Sequence, residues 1–350
     1  MPKFSAFFCN FAISMAKQRI EYIDAMRGFT MILVVYSHVC NYCLGDKWMG
    51  WNDVFFLFRL PCFFFISGWL FEPYTGTVHS VRSVIKHKFM VQIVPTVIFL
   101  LLLAPPPLFF SRLGATKGGY WFTFALFVFF LLYLFSERYL KRWGGAFALV
   151  ISVAAFGYDI CYNRYFKDMG LLTQALGFLS FITWRYYLFF YIGTWVKRHF
   201  NEFVRWTGKP VIIMAVVIGF SFFACHPHSE NAMAAYLIFA VGGLLGLTMI
   251  FTFFRIFAHD FSKERWLGRS LQYVGTRTLD IYLLHYFLLP RFLMNCSETI
   301  RAYDSQWMDF FVAMTVSLIV VAGCLLVSYV IRLSPFLGHY LFGVKYERKQ

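Results

Sequence analysis

Residues 19–38 read RIEYIDAMRGFTMILVVYSH, a charged opening that passes at Gly28 into an apolar run continuing to Leu44. Such a run approaches the length of about 20 apolar residues that a membrane-crossing helix needs. Nine further stretches of this kind follow along the chain. The ten predicted spans are 28–44, 54–71, 89–110, 120–135, 145–158, 180–196, 211–225, 233–257, 279–294 and 310–331, with a further short interfacial or re-entrant helix at 169–179.

The composition supports the same class of protein. Of 350 residues, 60% are hydrophobic, 22% aromatic and only 14% charged. Typical soluble domains have about 45–50% apolar and 25% charged residues, so a soluble core cannot hide this apolar surface. A disordered chain, a coiled coil and a disulfide-stapled secreted domain are excluded. We predict an all-α, polytopic membrane bundle of about ten transmembrane helices.

The basic residues are distributed unevenly between the two sides of the predicted membrane. Lys and Arg number 32 against 17 Asp and Glu, a net charge of +15. Twenty-three basic residues lie in the two tails and in the gaps on their side, and seven lie in the other gaps. Because cytoplasmic loops carry the excess of Lys and Arg, both termini are predicted to be cytoplasmic. The same bias explains the net charge without a nucleic-acid partner.

The chain reads as one membrane domain. We expect residues 19–345 to form it, and residues 1–18 to be a tail with Met15 as the true start. Cys40 and Cys43 form a CxxC pair, but no second pair accompanies them. They are interpreted as small core residues, and no metal site is predicted.

Ionisable groups inside a span are expensive, by about 2.5–3.5 kcal/mol each on insertion scales. Only His38 and His285 of the nine histidines lie within spans, and His285 is expected in the cytoplasmic half of its span. His38 follows Arg27 by eleven residues, about 16 Å and three turns of helix, so both side chains share a face. A lone intramembrane histidine is as often structural as functional. The in-phase Arg27 favours function.

Two arginines, Arg59 and Arg185, also lie within predicted spans. Snorkelling of the guanidinium towards an interface is the favoured interpretation. The alternative is a substrate contact inside the bundle.

The opening segment resembles that of the acyltransferase family 3 membrane proteins. Their first span carries Asp-x-x-Arg-Gly and a histidine eleven residues after the arginine, matched here by Asp24, Arg27, Gly28 and His38. Further similar motifs follow in order: FFFISGW at 63–69, a basic run at 82–88 before Pro95, GYWF at 119–122 and DIYLLH at 280–285. One departure is Gln92, where the family often has an arginine.

The resemblance implies transfer of an acyl group, commonly acetyl, from cytoplasmic acyl-coenzyme A to a hydroxyl acceptor. Acceptors in the family are largely envelope glycans or lipid-linked saccharides, which implies the bacterial inner membrane. His38 and Arg27 are implied to be catalytic, with His38 as the general base or, as an alternative, the acyl-carrying nucleophile. The residues implied to hold the coenzyme phosphates are Arg27, Arg82, Lys86 and Lys88. Those implied to contact the acceptor or support its site are Asp24, Ser67, Trp121, Tyr282 and His285.

Two other functions compete with the enzyme. A saccharide transporter or flippase would also be a helix bundle, but ion-coupled carriers usually keep carboxylates within spans. The predicted span interiors contain no Asp or Glu apart from Asp280 at a helix edge. A third hypothesis is a scaffold of an assembly complex that has lost activity. The presence of Arg27 and His38 argues against it. Binding of coenzyme A would separate the enzyme from both.

Overall fold

A computed structural model describes residues 20–45, 50–71, 81–103, 117–161, 175–297 and 305–344. All regular secondary structure in these ranges is helical. The prediction that Met15 is the start and residues 1–18 a tail lies outside the described residues. So do residues 169–174 of the predicted interfacial helix and the end of the third predicted span.

The helices follow the predicted spans closely. Pro210 lies in the first turn of one helix, where its missing amide hydrogen costs nothing. The helix that follows it in the chain is capped by the Asn231 side-chain oxygen, which accepts from the Met233 and Ala234 amides at 2.9 and 3.1 Å. The helices are α1 Glu21–Cys43, α2 Asn52–Trp69, α3 Val81–Leu103, α4 Trp121–Phe135, α5 Gly144–Cys161, α6 Tyr187–Arg198, α7 Phe200–Thr207, α8 Pro210–Cys225, α9 Met233–Ile256, α10 Trp266–Thr276, α11 Thr278–Leu288, α12 Gln306–Arg332 and α13 Pro335–Phe342.

Five helical segments of the described chain are long and apolar enough to cross a membrane. They are α1, α3, the continuous run through α4 and α5, α9 and α12; α7 and α8, bent by 78° at their junction, would make a sixth. The chain is therefore a multi-pass membrane protein. The helices α2, α6 and α11 are shorter or less apolar, with 18, 12 and 11 residues. The total of ten spans and the cytoplasmic termini stay predictions.

Glycines allow the central helices to approach each other closely. A Cβ added at Gly28 of α1 would lie 2.0 Å from the Leu271 carbonyl oxygen, and one at Gly275 of α10 would lie 1.9 Å from that of Asp24. Real Cβ atoms essentially never show contacts under 3.0 Å. Small residues at such crossings let helix backbones meet, as is typical of membrane bundles. Gly68 of α2 and Gly193 of α6 form a second crossing of the same kind.

Apolar side chains face both inwards and outwards. Phenylalanine and tyrosine rings fill the space around α2, where Phe64 contacts Phe122, Phe129 and Tyr186 with ring centroids 4.7 to 5.2 Å apart. Large apolar side chains are also exposed along α8 and α12, for example Ile218 and Ile319. An apolar exterior is what contact with lipid requires, so the helix packing itself depends on close fit.

Candidate active site

A cavity of about 190 Å³ lies between α1, α2, the start of α4 and α11. His38, Trp121 and Tyr282, three of the residues predicted from the sequence, line it. Arg59 lines the same cavity from α2. Residues separated by more than 200 positions in the chain thus meet at one site.

His38 and His285 form a packed pair beside this cavity. Their ring centroids are 4.8 Å apart and the rings are perpendicular, at 89°. The sequence placed them at different depths, whereas here they lie side by side. Nδ1 of His285 lies 2.8 Å from the Tyr282 carbonyl oxygen and 3.1 Å from that of Ile281. Because carbonyl oxygens only accept, Nδ1 carries the hydrogen, and Nε2 of a neutral His285 carries the lone pair.

Two nitrogens of this pair are buried without a hydrogen-bond partner among the described residues. They are Nδ1 of His38 and Nε2 of His285. A buried polar atom left unpaired costs about 1–3 kcal/mol, so native proteins rarely retain one without a reason. Two such atoms in one histidine pair leave two positions at which a polar ligand could form hydrogen bonds.

Tyrosines from α11 hold the cavity wall in place. The hydroxyls of Tyr282 and Tyr286 donate to the Gly119 carbonyl oxygen at 3.2 and 3.3 Å, and the Phe122 amide donates to the Tyr282 hydroxyl at 3.1 Å. Gly119 has a φ of +102°, and a Cβ there would meet the Tyr286 ring at 2.5 Å. Only glycine fits this position.

Tyr286 also packs its ring 4.1 Å from that of His285 and 5.0 Å from that of His38. The sequence reasoning missed this residue. Its position directly after His285 in the DIYLLH motif was the available signal.

Arg59 is a charged residue enclosed in the protein, with only 7% of its surface exposed. Its Nη1 donates to the Asn52 side-chain oxygen at 2.7 Å, and its guanidinium lies 5.3 Å from the Phe56 ring centroid. No acidic side chain of the described residues pairs with it. The snorkelling interpretation is therefore wrong for Arg59. Its charge is directed into the same cavity as His38.

A second group of predicted residues, those implied to hold the donor phosphates, lies near the start of α1, away from His38. Arg27 and Lys88 are close enough for their like charges to interact. Lys88 is partly enclosed, with its Nζ 4.3 Å from the centre of the Phe130 ring. Arg82 and Lys86 are exposed on the first turns of α3. Like charges held together in partial burial repel, which favours an anionic ligand between or beside them.

The unbroken helix α1 joins these two places. It runs through both Arg27 and His38, so their separation of about 16 Å along the axis stands as predicted. Gln92 lies on α3 with its side-chain oxygen buried and without a partner among the described residues. It supplies no charge where the family often has an arginine.

Two of the residues predicted to serve the acceptor lie away from both the cavity and the histidine pair. Asp24 is 3% exposed and sits where α1 crosses α10. The Ser67 hydroxyl donates to the Phe63 carbonyl oxygen at 2.8 Å, within its own helix. The structure does not bring either residue to His38.

An ion pair fixes the helix that carries His285. Arg332 of α12 donates to both oxygens of Asp280, at 2.7 and 2.9 Å, and the Ser328 hydroxyl also donates to this carboxylate. The Asp280 side chain is only 2% exposed. Two parallel hydrogen bonds give this arginine–carboxylate pair a defined geometry, which holds α11 against α12.

A comparison with protein families identifies the family of the chain. Residues 20–333 match a family model described as an acyltransferase domain, which covers nearly the whole chain. The chain therefore belongs to acyltransferase family 3 and is a membrane acyltransferase, as the resemblance predicted. No curated protein and no solved structure matches the chain.

Proposed function

We propose that this protein transfers an acyl group, of the acetyl type, from acyl-coenzyme A to a hydroxyl of an envelope glycan or lipid-linked saccharide. The bacterial inner membrane is its proposed location. The observation that carries the proposal is one cavity lined by both His38 and the guanidinium of Arg59, which has no acidic partner among the described residues, in a member of an acyltransferase family. In acyl transfer to a hydroxyl, a base can take the hydroxyl proton and a buried cation can stabilise the oxyanion that forms.

His38 acts as the general base in this proposal. It accepts the proton of the acceptor hydroxyl while the hydroxyl oxygen bonds to the thioester carbon. Arg59 stabilises the negative charge that develops on the carbonyl oxygen. The carbon–sulfur bond then breaks, and His38 returns the proton to the departing thiolate. The products are an ester and a free thiol, so atoms and protons balance.

His285 and Tyr286 are positioning residues, because their rings pack against His38 and restrict its orientation. Tyr282 and Trp121 form the cavity wall where the acceptor would bind. Asp24 and Ser67 would act from further away, through the packing of α1 and α2.

The residues around Arg27 fit the phosphates of the donor. Arg27 and Lys88 concentrate positive charge beside α1, and Arg82 and Lys86 extend it on the exposed start of α3. Guanidinium and ammonium groups are the usual partners of phosphate. The helix then sets about 16 Å between this charge and His38, a span suited to an extended thioester arm.

Release of free thiol from acetyl-coenzyme A tests the function. The full chain, purified in detergent, would be assayed with an extract of envelope glycans as acceptor. We expect His38→Ala to lower the rate by about 10²–10⁴, the range for loss of a general base. The matched control is His199→Ala, a half-buried histidine directly after α6 whose Nδ1 lies 3.1 Å from the Trp195 carbonyl oxygen. A near-normal rate in His38→Ala would refute the mechanism. The proposed function fails if the unaltered chain neither releases thiol nor binds coenzyme A.

A further inference from the structure

A second cavity, of about 390 Å³, lies nearer the start of α2, where Phe56 and Leu57 line it. It is formed where α5 ends, where the segment Phe181–Tyr186 precedes α6, and where the loop 226–231 joins α8 to α9. The polar side chains in its lining are Asp159, Arg185, His228 and Ser229. Nothing in the mechanism above uses these residues.

The ion pair between Asp159 and Arg185 in this cavity leaves some of its hydrogen-bonding groups without a partner among the described residues. Nη1 of Arg185 donates to one oxygen of Asp159 at 2.7 Å, and this is their one side-chain hydrogen bond to the described residues. Nε of Arg185 is buried without a partner among those residues. The Asp159 side chain is 31% exposed. A carboxylate oxygen and guanidinium donors are therefore left for a ligand.

The pair between Asp280 and Arg332 shows what a purely structural pair looks like in this protein. Both carboxylate oxygens accept from the guanidinium, a serine hydroxyl adds a further bond, and the carboxylate is 2% exposed. The Asp159–Arg185 pair differs in each respect. Buried polar groups are normally satisfied, so the difference points to binding.

Aromatic rings complete the lining. Phe56, Phe156 and Phe239 face the cavity, and the Arg185 guanidinium lies 5.2 Å from the Phe239 ring centroid. The guanidinium can donate hydrogen bonds and the carboxylate can accept them, and both lie beside apolar ring faces. This combination suits a molecule that carries many hydroxyls on an apolar carbon frame. One positive and one negative group leave no net preference for an anion. This chemistry is that of a neutral saccharide.

Contacts between aromatic side chains link the lining of this cavity to that of the cavity that contains His38. The Arg185 guanidinium lies 5.4 Å from the Tyr186 ring centroid, and Tyr186 stacks on Trp121 of the first cavity at 24° and 6.2 Å. Phe56 provides a second link, because it lines the second cavity and contacts the guanidinium of Arg59, which lines the first. The helix ends that form the second cavity all belong to the side that the sequence predicts to be non-cytoplasmic, opposite to Arg27.

We infer that the second cavity binds a saccharide acceptor, holding sugar units beyond the one that is acylated. Asp159 and Arg185 bond to its hydroxyls, and the phenylalanine rings contact its carbon faces. This inference rests on the proposed function, because it assigns the acceptor of that reaction.

The test compares acceptors of two lengths. Neutral monosaccharides and pentasaccharides of glucose, galactose and N-acetylglucosamine would serve as probes in the thiol-release assay. For Asp159→Asn we expect the ratio of pentasaccharide Km to monosaccharide Km to rise at least about tenfold, the effect of losing a charged hydrogen-bond partner. The matched control is Glu137→Gln, which removes a carboxylate paired with Arg198 at 2.7 Å outside both cavities.

Titration calorimetry with the same pentasaccharides, without acyl donor, separates the two proposals. Weaker binding by Asp159→Asn than by the unaltered chain and Glu137→Gln supports the second cavity, whether or not turnover is seen. Turnover that His38→Ala abolishes, together with an unchanged Km ratio in Asp159→Asn, overturns the second cavity and leaves the function standing. The inference is also overturned if no pentasaccharide binds to the unaltered chain.

Discussion

The crossing of α1 and α10 at Gly28 allows one prediction to be worked out in detail. In Gly28→Ala the added Cβ would lie 2.0 Å from the Leu271 carbonyl oxygen, whereas ordinary contact begins at 3.4 Å. Its nearest neighbours are the Leu271 carbonyl group and the Gly275 backbone nitrogen. Both belong to helix backbone, which cannot rotate away. The two helices must therefore separate by about 1 Å, and overpacking of this kind destabilises proteins by about 1–3 kcal/mol.

The same displacement reaches the donor site, because Arg27 is the residue before Gly28. A shift of about 1 Å in a binding group can lower enzymatic rates by about a hundredfold. We therefore expect Gly28→Ala to unfold at a temperature several degrees lower and to lose between about tenfold and a hundredfold in kcat/Km for acetyl-coenzyme A.

Thermal unfolding of the detergent-purified chain and initial rates of thiol release measure the two effects. Gly157→Ala is the matched control, since a Cβ at this position of α5 would have no atom within 4 Å. Replacing glycine by alanine in a helix gains about 0.5–1 kcal/mol where space allows, so this control should be as stable as the unaltered chain or more stable. If both variants behave alike, the close crossing and the reasoning built on it are wrong.

Three further predictions concern charged groups. Arg59→Gln should lower kcat by about 10²–10³ with the Km for acetyl-coenzyme A nearly unchanged, because the guanidinium acts on charge that develops only in the transition state; an unchanged kcat would contradict this. Lys88→Gln should raise that Km about tenfold, whereas Lys209→Gln, on the exposed start of α8, should not, and equal effects would exclude a special donor role for Lys88. Burial lowers the pKa of Lys117 to about 8. The unfolded chain therefore binds more protons than the folded chain between about pH 8 and pH 10, so the unfolding temperature of the unaltered chain should rise over this interval relative to that of Lys117→Met. Parallel curves of unfolding temperature against pH for the two chains would disprove this.

The helices themselves could be predicted from the sequence because apolar run length is a local property. The bounds of α1, α2, α8 and α12 lie within seven residues of the predicted spans. The motif residues were also local, so His38, Trp121, Tyr282 and His285 could be named before their positions in space were known. What periodicity does not contain is which helices are neighbours.

The misjudged residue, Arg59, shows why. Its place within an apolar helix was correct, but the cost of a buried charge favoured a guanidinium that reaches out to water. In the folded chain the Asn52 side chain satisfies one donor, and the cavity shared with His38 receives the rest. This depends on α1, α4 and α11 meeting α2 at one level, which no short stretch of sequence specifies. The same holds for Asp159 and Arg185, which lie on separate segments of the chain.

The uninterrupted helix α1 acts as a ruler between donor phosphates and base. Each inserted residue would lengthen it by about 1.5 Å and rotate everything beyond it by about 100°. A single insertion between Arg27 and His38 would therefore turn the imidazole out of the cavity while leaving every side chain present. The contact of Gly28 with α10 fixes the rotational setting of the lower end, so the helix cannot turn as a whole to compensate. Along this segment, the number of residues therefore matters to the site as much as their identity.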